Sequence, residues 1–142
     1  MVRVLATGTF DLLHPGHMYF LEQAKNLGDE LYVIVSRDVN VNHKPLPIVP
    51  ETQRLEMISA LKPVDVAVLG SLTDYFEPIE KIQPDIIVLG FDQKFQEKEL
   101  KDALNKRGYF PKVIRLPAKQ GDYYSSRAIA SKIVERKNEF KK

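Results

Sequence analysis

Apolar residues along the chain fall into short runs separated by polar, glycine- and proline-bearing segments. Residues 2–6 form a mostly apolar run ending near Gly8 and predict a buried strand. Residues 31–35, 66–69, 85–89 and 113–116 predict four more. Between the first two runs, Met18, Leu21, Ala24 and Leu27 recur at near-helical spacing over residues 17–27, and Gly28 is placed to end that helix. A second helix opens at residues 50–53, carries Leu55, Met57, Ile58 and Leu61, and stops at Pro63. A short helix is predicted over 75–82, a polar one over about 97–106, and a last one over 125–137. Residues 37–50 contain three prolines and two asparagines without a clear period, which predicts a loop. The charged tail 138–142 is expected to fray.

Strands that lack polar alternation, each followed by a helix, predict an α/β fold with a parallel sheet covered on both faces. Five such strands make a doubly wound five-stranded parallel sheet, and residues 1–142 read as one domain. In such sheets ligands bind beyond the carboxyl ends of the strands at the switch point. The site is therefore expected to draw on residues 8–17, after the first strand, and 90–93, after the fourth.

Composition narrows the chemistry. There are no cysteines, which excludes disulfides, zinc–thiolate sites and thiol nucleophiles. A net charge of +2 is too small to argue for nucleic acid and suits a phosphate-bearing small ligand equally well. No apolar run approaches the ~20 residues of a membrane span. The N-terminus enters a strand pattern at once, and the expected location is the cytoplasm.

Two of the three histidines, His14 and His17, crowd one turn around Pro15 and Gly16 at a predicted helix start. Such a start offers free amides and a positive dipole end to phosphate. Gly16 permits close approach of a ligand, and Thr9 and Phe10 offer further amides. The plainer reading makes His14 a helix cap and His17 a surface residue.

The run Gly8-Thr9-Phe10-Asp11-Leu12-Leu13-His14-Pro15-Gly16-His17 resembles the G-x-F-D-x-x-H-x-G-H signature of the cytidylyltransferase-like nucleotidyltransferases. The resemblance extends over nearly the whole chain and implies the Rossmann-like fold of that family. It implies that His14 and His17 contact the nucleoside triphosphate and stabilise the transition state. Arg54, in Gln53-Arg54, is implied as a phosphate or acceptor contact; otherwise it is a solvated helix arginine. Asp92, in Gly90-Phe91-Asp92-Gln93, falls where the family places an aspartate near the nucleotide's sugar or base. Tyr124, Ser125 and Ser126 fall where it places the residues that hold the β and γ phosphates at a second helix start; Ser125 could equally be a plain cap. Lys44 is the cation implied to reach the triphosphate or the acceptor, while His43 reads as a surface residue. A divalent cation, magnesium or another, is implied to ride mainly on the phosphates, so no protein metal ligands are expected.

Within that family, the stretch before the last helix lacks the R-T-x-G of the cytidylyltransferase branch, which argues against CTP. Residues 61–65, 69–72 and 84–95 instead resemble the archaeal FAD synthases, although the cysteine those carry before the double serine is absent. That branch implies ATP and FMN as substrates, with no nucleic-acid or membrane partner. A glycerol-3-phosphate cytidylyltransferase or a heptose-type sugar-phosphate adenylyltransferase is the alternative. A non-catalytic nucleotide sensor is the reading of another class. Dimers occur in the family, and a homodimer is left open.

Overall fold

A computed structural model describes residues 1–41, 46–91, 93, 96–119 and 121–141. Five parallel strands form one sheet: β1 (Arg3–Gly8), β2 (Glu30–Val35), β3 (Val66–Leu69), β4 (Ile86–Leu89) and β5 (Lys112–Arg115), in the order β3-β2-β1-β4-β5. The helices are α1 (Pro15–Lys25), α2 (Glu51–Ser59), α3 (Glu77–Ile82), α4 (Glu97–Lys106) and α5 (Ser126–Glu135). This is the α/β doubly wound arrangement that the apolar runs predict.

Alternation along the central strands divides the core into two layers. Val4 and Ala6 of β1 join Leu31, Val33 and Val35 of β2 beneath Leu21 and Ala24 of α1 and Ile58 of α2. Leu5, between them on β1, points to the other face, where Ile79 and Ile82 of α3 and Leu100 and Leu104 of α4 cover Ile87 and Leu89 of β4. Because both faces are buried, each strand reads as an unbroken apolar run.

The chain runs outward from β1 through β2 to β3, then returns to β4 on the other side of β1. The loops after β1 and β4 therefore diverge, and the crevice between them is the switch point. Gln93 closes its floor: its Nε2 donates to the Thr7 carbonyl at 2.7 Å, and its Oε1 accepts from the Gly90 amide at 2.8 Å. At the opposite end of the sheet, Asp65 accepts the Leu31 amide at 2.7 Å and pairs with Lys25 at 2.6 Å.

Most boundaries shift from expectation by one to a few residues, as where α1 covers 15–25 and not 17–27, and two differences have a plain physical reason. β1 extends to Gly8 because Thr7 and Gly8 pair with Ile34 and Val35, although neither is strongly apolar. The tail is not frayed throughout: residues Lys137–Phe140 form a 3-10 turn, held by an Arg136–Glu139 ion pair that no apolar spacing announces. Among the described residues no helix is long and apolar enough to cross a membrane.

Candidate active site

The loop that leaves β1 is shaped by Phe10. Its φ of 54° reverses the chain, a costly conformation for a bulky residue and one that clusters at functional sites. The reversal buries the ring against Gly8, where a Cβ would lie 2.8 Å from Phe10 Cζ, so position 8 has to be glycine. The same ring meets His17 edge-on, with centroids 5.4 Å apart.

His14 is both the cap of α1 and a member of the site. Its extended backbone precedes the helix, and its Nδ1 accepts the Gly16 amide at 3.0 Å. An accepting Nδ1 carries no proton, so the ring hydrogen resides on Nε2 and points away from the helix as a donor. The two imidazoles stack with centroids 3.7 Å apart and an interplanar angle of 29°. The His17 amide turns back to the His14 carbonyl at 3.0 Å, and Pro15 has no amide hydrogen. The early amides of α1 are thus engaged inside the turn, and the expected presentation of donors to phosphate falls to the imidazoles.

Gly16 admits a neighbouring loop. A Cβ there would lie 2.8 Å from the Tyr124 carbonyl oxygen and 2.8 Å from His14 Cε1. The start of α5 is thereby seated directly against the start of α1. Ser126 Oγ donates to the Leu12 carbonyl at 3.0 Å, tying the helices together, and Ser125 Oγ accepts the Ala128 amide at 3.1 Å as the cap of α5. Neither helix carries an acidic residue in its first turn, so the two positive dipole ends converge without a competing carboxylate.

Among the described residues, Arg54 departs clearly from its expected role. It is 1% exposed, neither solvated nor open to a ligand. Its Nε donates to the Val49 carbonyl at 2.8 Å, one terminal nitrogen to the Thr9 carbonyl at 2.7 Å, and the other to Asp38. A fork committed to three protein acceptors holds the β1 loop in place instead of binding phosphate. Around it, Asp38 donates its amide to Glu51 at 2.9 Å, and Glu51 pairs with Arg37 at 2.7 Å. The Glu51 carboxyl is held below its usual range, first by the Asp38 amide and then by Arg37.

Several positioning residues carry no single-residue sequence signal. Asp11 accepts the Ile48 and Val49 amides at 3.0 and 2.9 Å, so the segment entering α2 is clamped to the catalytic loop. Arg115 donates to the Gly90 and Gln93 carbonyls at 2.6 and 3.0 Å, fixing the loop after β4. Tyr75, after β3, lies beside the Thr7 side chain, and burial pushes its phenol above its usual range. Lys44, His43 and Asp92 lie outside the described residues. Among the described residues no group of three or more histidines and carboxylates is placed to hold a metal ion. Concavities elsewhere lie beside Lys101 and Lys112 and beside Gln83 and Phe110, away from the loops after β1 and β4.

The sequence profile described as Cytidylyltransferase-like matches residues 5–132, from β1 into α5. The chain belongs to the cytidylyltransferase-like family. Two relatives within reach of this cytidylyltransferase-like chain are named FAD synthase. One, from Methanohalophilus mahii, is 60% identical over 138 residues, covering 96% of this chain and 97% of that protein. The other, from Methanoculleus marisnigri, is 60% identical over 136 residues, covering 96% and 89%. A crystal structure titled as the lipopolysaccharide core biosynthesis protein of Thermoplasma volcanium superposes with a TM-score of 0.82 at 47% identity, over 84% of this chain and 99% of that one.

Proposed function

We propose that the protein is an FAD synthase, which transfers AMP from ATP to the phosphate of FMN and releases pyrophosphate. The observation that carries the transfer chemistry is the stacked His14–His17 pair, one tautomer fixed, at the mouth shared by two helix starts. The choice of ATP and FMN follows the name borne by relatives 60% identical over nearly the whole chain.

In this reading an FMN phosphate oxygen attacks the α phosphorus in line, and the bond from that phosphorus to the bridging oxygen of pyrophosphate breaks. No protein nucleophile takes part; positioning and charge neutralisation provide the catalysis. His14 Nε2–H donates to a non-bridging oxygen of the α phosphate, and His17 beneath it completes the donor pair. The start of α5, with Tyr124, Ser125 and Ser126, receives the β and γ phosphates. Ser125 keeps its hydroxyl hydrogen for that purpose, since its oxygen accepts from Ala128. Ser126 gives its hydrogen to Leu12 and acts through its backbone. Thr9, Phe10, Pro15 and Gly16 shape the floor, and Lys44 and Asp92 keep their assigned roles toward phosphate and sugar or base. Arg54 supports the Thr9 carbonyl from beneath.

A hard divalent cation such as magnesium takes oxygen ligands, so it would be carried on the triphosphate oxygens and not on this imidazole pair. Bound there, it would neutralise phosphate charge. With these substrates the chain is assigned to the cytoplasm, and light scattering tests whether it acts as a homodimer.

Pyrophosphate release with ATP or CTP, each with and without FMN, is the test. Release only with ATP plus FMN supports the reading. Release with CTP and glycerol 3-phosphate, or none with any acceptor, replaces it with a cytidylyltransferase or a sensor. The Thermoplasma volcanium title favours a second acceptor, a sugar phosphate, and heptose phosphate belongs in the same assay.

A further inference from the structure

FMN presents two chemically unlike parts, a phosphate that attacks and a flat tricyclic ring that has to lie on something. The phosphate-binding geometry above accounts only for the first. In-line transfer places the acceptor opposite the leaving pyrophosphate. If pyrophosphate leaves toward α5, which follows β5 at one edge of the sheet, the acceptor lies toward the β2–β3 side of β1.

Three aromatic side chains at this end of the molecule are substantially exposed: Tyr75 at 44%, Tyr123 at 46% and Phe91 at 61%. Tyr123 lies in the loop just before α5, on the side of Lys132. Phe91 follows β4, on the side of the nucleotide. Tyr75 lies in the loop between β3 and α3, beside Thr7, one residue before the Gly8–His17 motif. It is also held from the side: the Phe76 ring packs against it at 5.2 Å and 83°, and Arg107 lies over Phe76 at 4.5 Å. Phe76 thus occupies one side of a residue that is otherwise half-exposed. An aromatic ring already locked in one orientation loses little freedom when a planar ligand stacks on it.

We propose that Tyr75 is the aromatic wall of the acceptor site, the ring of this half-exposed residue stacking on the isoalloxazine of FMN. This rests on the FAD synthase reading and assigns a residue that sets acceptor specificity within it. The ring system, not the phosphate, is what Tyr75 recognises, so acceptors lacking a flat aromatic system gain nothing from it.

The test uses the full chain, with pyrophosphate release measured against FMN at saturating ATP and against ATP at saturating FMN. Tyr75→Leu is expected to raise KM for FMN by roughly 5- to 150-fold, the range of lost base–aromatic stacking, while KM for ATP stays within about twofold. Tyr75→Phe, which keeps the ring, recovers most of the FMN affinity. The fluorescence of bound FMN, quenched in the wild type, rises in Tyr75→Leu. A KM for FMN within about twofold of wild type in Tyr75→Leu, or an equal loss toward ATP and FMN, overturns the wall. If the wild type itself releases no pyrophosphate with ATP and FMN, the FAD synthase reading falls and the isoalloxazine falls with it. Activity in the wild type with no change in Tyr75→Leu removes Tyr75 alone.

Discussion

The imidazole of His14 lies on that of His17 with centroids 3.7 Å apart, while its Nδ1 accepts the amide hydrogen of Gly16 at 3.0 Å. One side chain therefore caps a helix and presents an oriented donor, and the two duties separate by mutation. His17→Ala is expected to lower turnover by at least ~100-fold with the circular dichroism spectrum and Tm retained. His14→Ala is expected to lose a similar factor and also ~1 kcal/mol of stability, because the Gly16 amide loses its acceptor. His14→Asn restores much of that stability, since its side-chain oxygen can cap, without restoring turnover. Near-normal turnover in His17→Ala would remove the catalytic role of the pair.

Gly16 makes room for two neighbours, the His14 ring and the Tyr124 carbonyl, each 2.8 Å from where a Cβ would stand. Gly16→Ala forces the ring or the start of α5 to move. Helix propensity alone would favour the alanine by as much as ~1 kcal/mol, so stability changes little. Turnover, which depends on the spacing of the two helix starts, is expected to fall on the order of 100-fold. A variant with unchanged kcat would show that the two helix starts need not be held this close.

The parts of this molecule that were legible in the sequence are those where neighbours along the chain decide the outcome. Residues 66–69 and 97–106 match β3 and α4 at both ends, because a fully apolar strand and an amphipathic helix carry their own periodicity. The Gly8–His17 motif likewise compresses its turn, cap and stacked rings into ten consecutive positions. Arg54 was not legible: its three acceptors come from Thr9, Asp38 and Val49, and nothing between Gln53 and Leu55 signals a buried guanidinium. Asp11 stands within the motif, yet its partners, Ile48 and Val49, lie 37 and 38 residues further along the chain. Tyr75 lies beside Thr7 of the central strand, a relationship set by strand order and not by spacing.

The burial of Arg54 distinguishes a positioning residue from a substrate contact. Arg54→Ala leaves the Asp38 carboxylate and the Thr9 and Val49 carbonyls without their donor. Asp38 is partly exposed and resolvates, but the two carbonyls left without their donor cost about 1–3 kcal/mol each, so Tm is expected to fall by roughly 5–15 °C in a thermal melt. Arg54→Lys keeps the charge but not the three-way fork, and is expected to lose part of that stability. In the folded fraction of Arg54→Lys, kcat falls as the β1 loop shifts, while KM for ATP and for FMN changes little. A large rise in either KM with Tm unchanged would return Arg54 to direct ligand contact.

Glu51 makes the same network sensitive to pH. Its carboxyl is depressed below the usual value because its charged form accepts the Asp38 amide and pairs with Arg37. The folded chain thus binds this proton less readily than the unfolded chain does. The resulting stabilisation is fully present above the unfolded carboxylate value and is lost as pH falls through the lower folded one. Glu51→Gln removes the titrating group and weakens both contacts. At neutral pH its Tm is expected to lie roughly 3–6 °C below wild type, the scale of a hydrogen-bonded charge near the surface. As the pH is lowered past the ordinary carboxylate range, the wild type loses this contribution and the variant does not, so the two melting curves converge. A gap that stays constant from neutral to acid pH would show that Glu51 stabilises the start of α2 through its shape alone, with its charge contributing nothing.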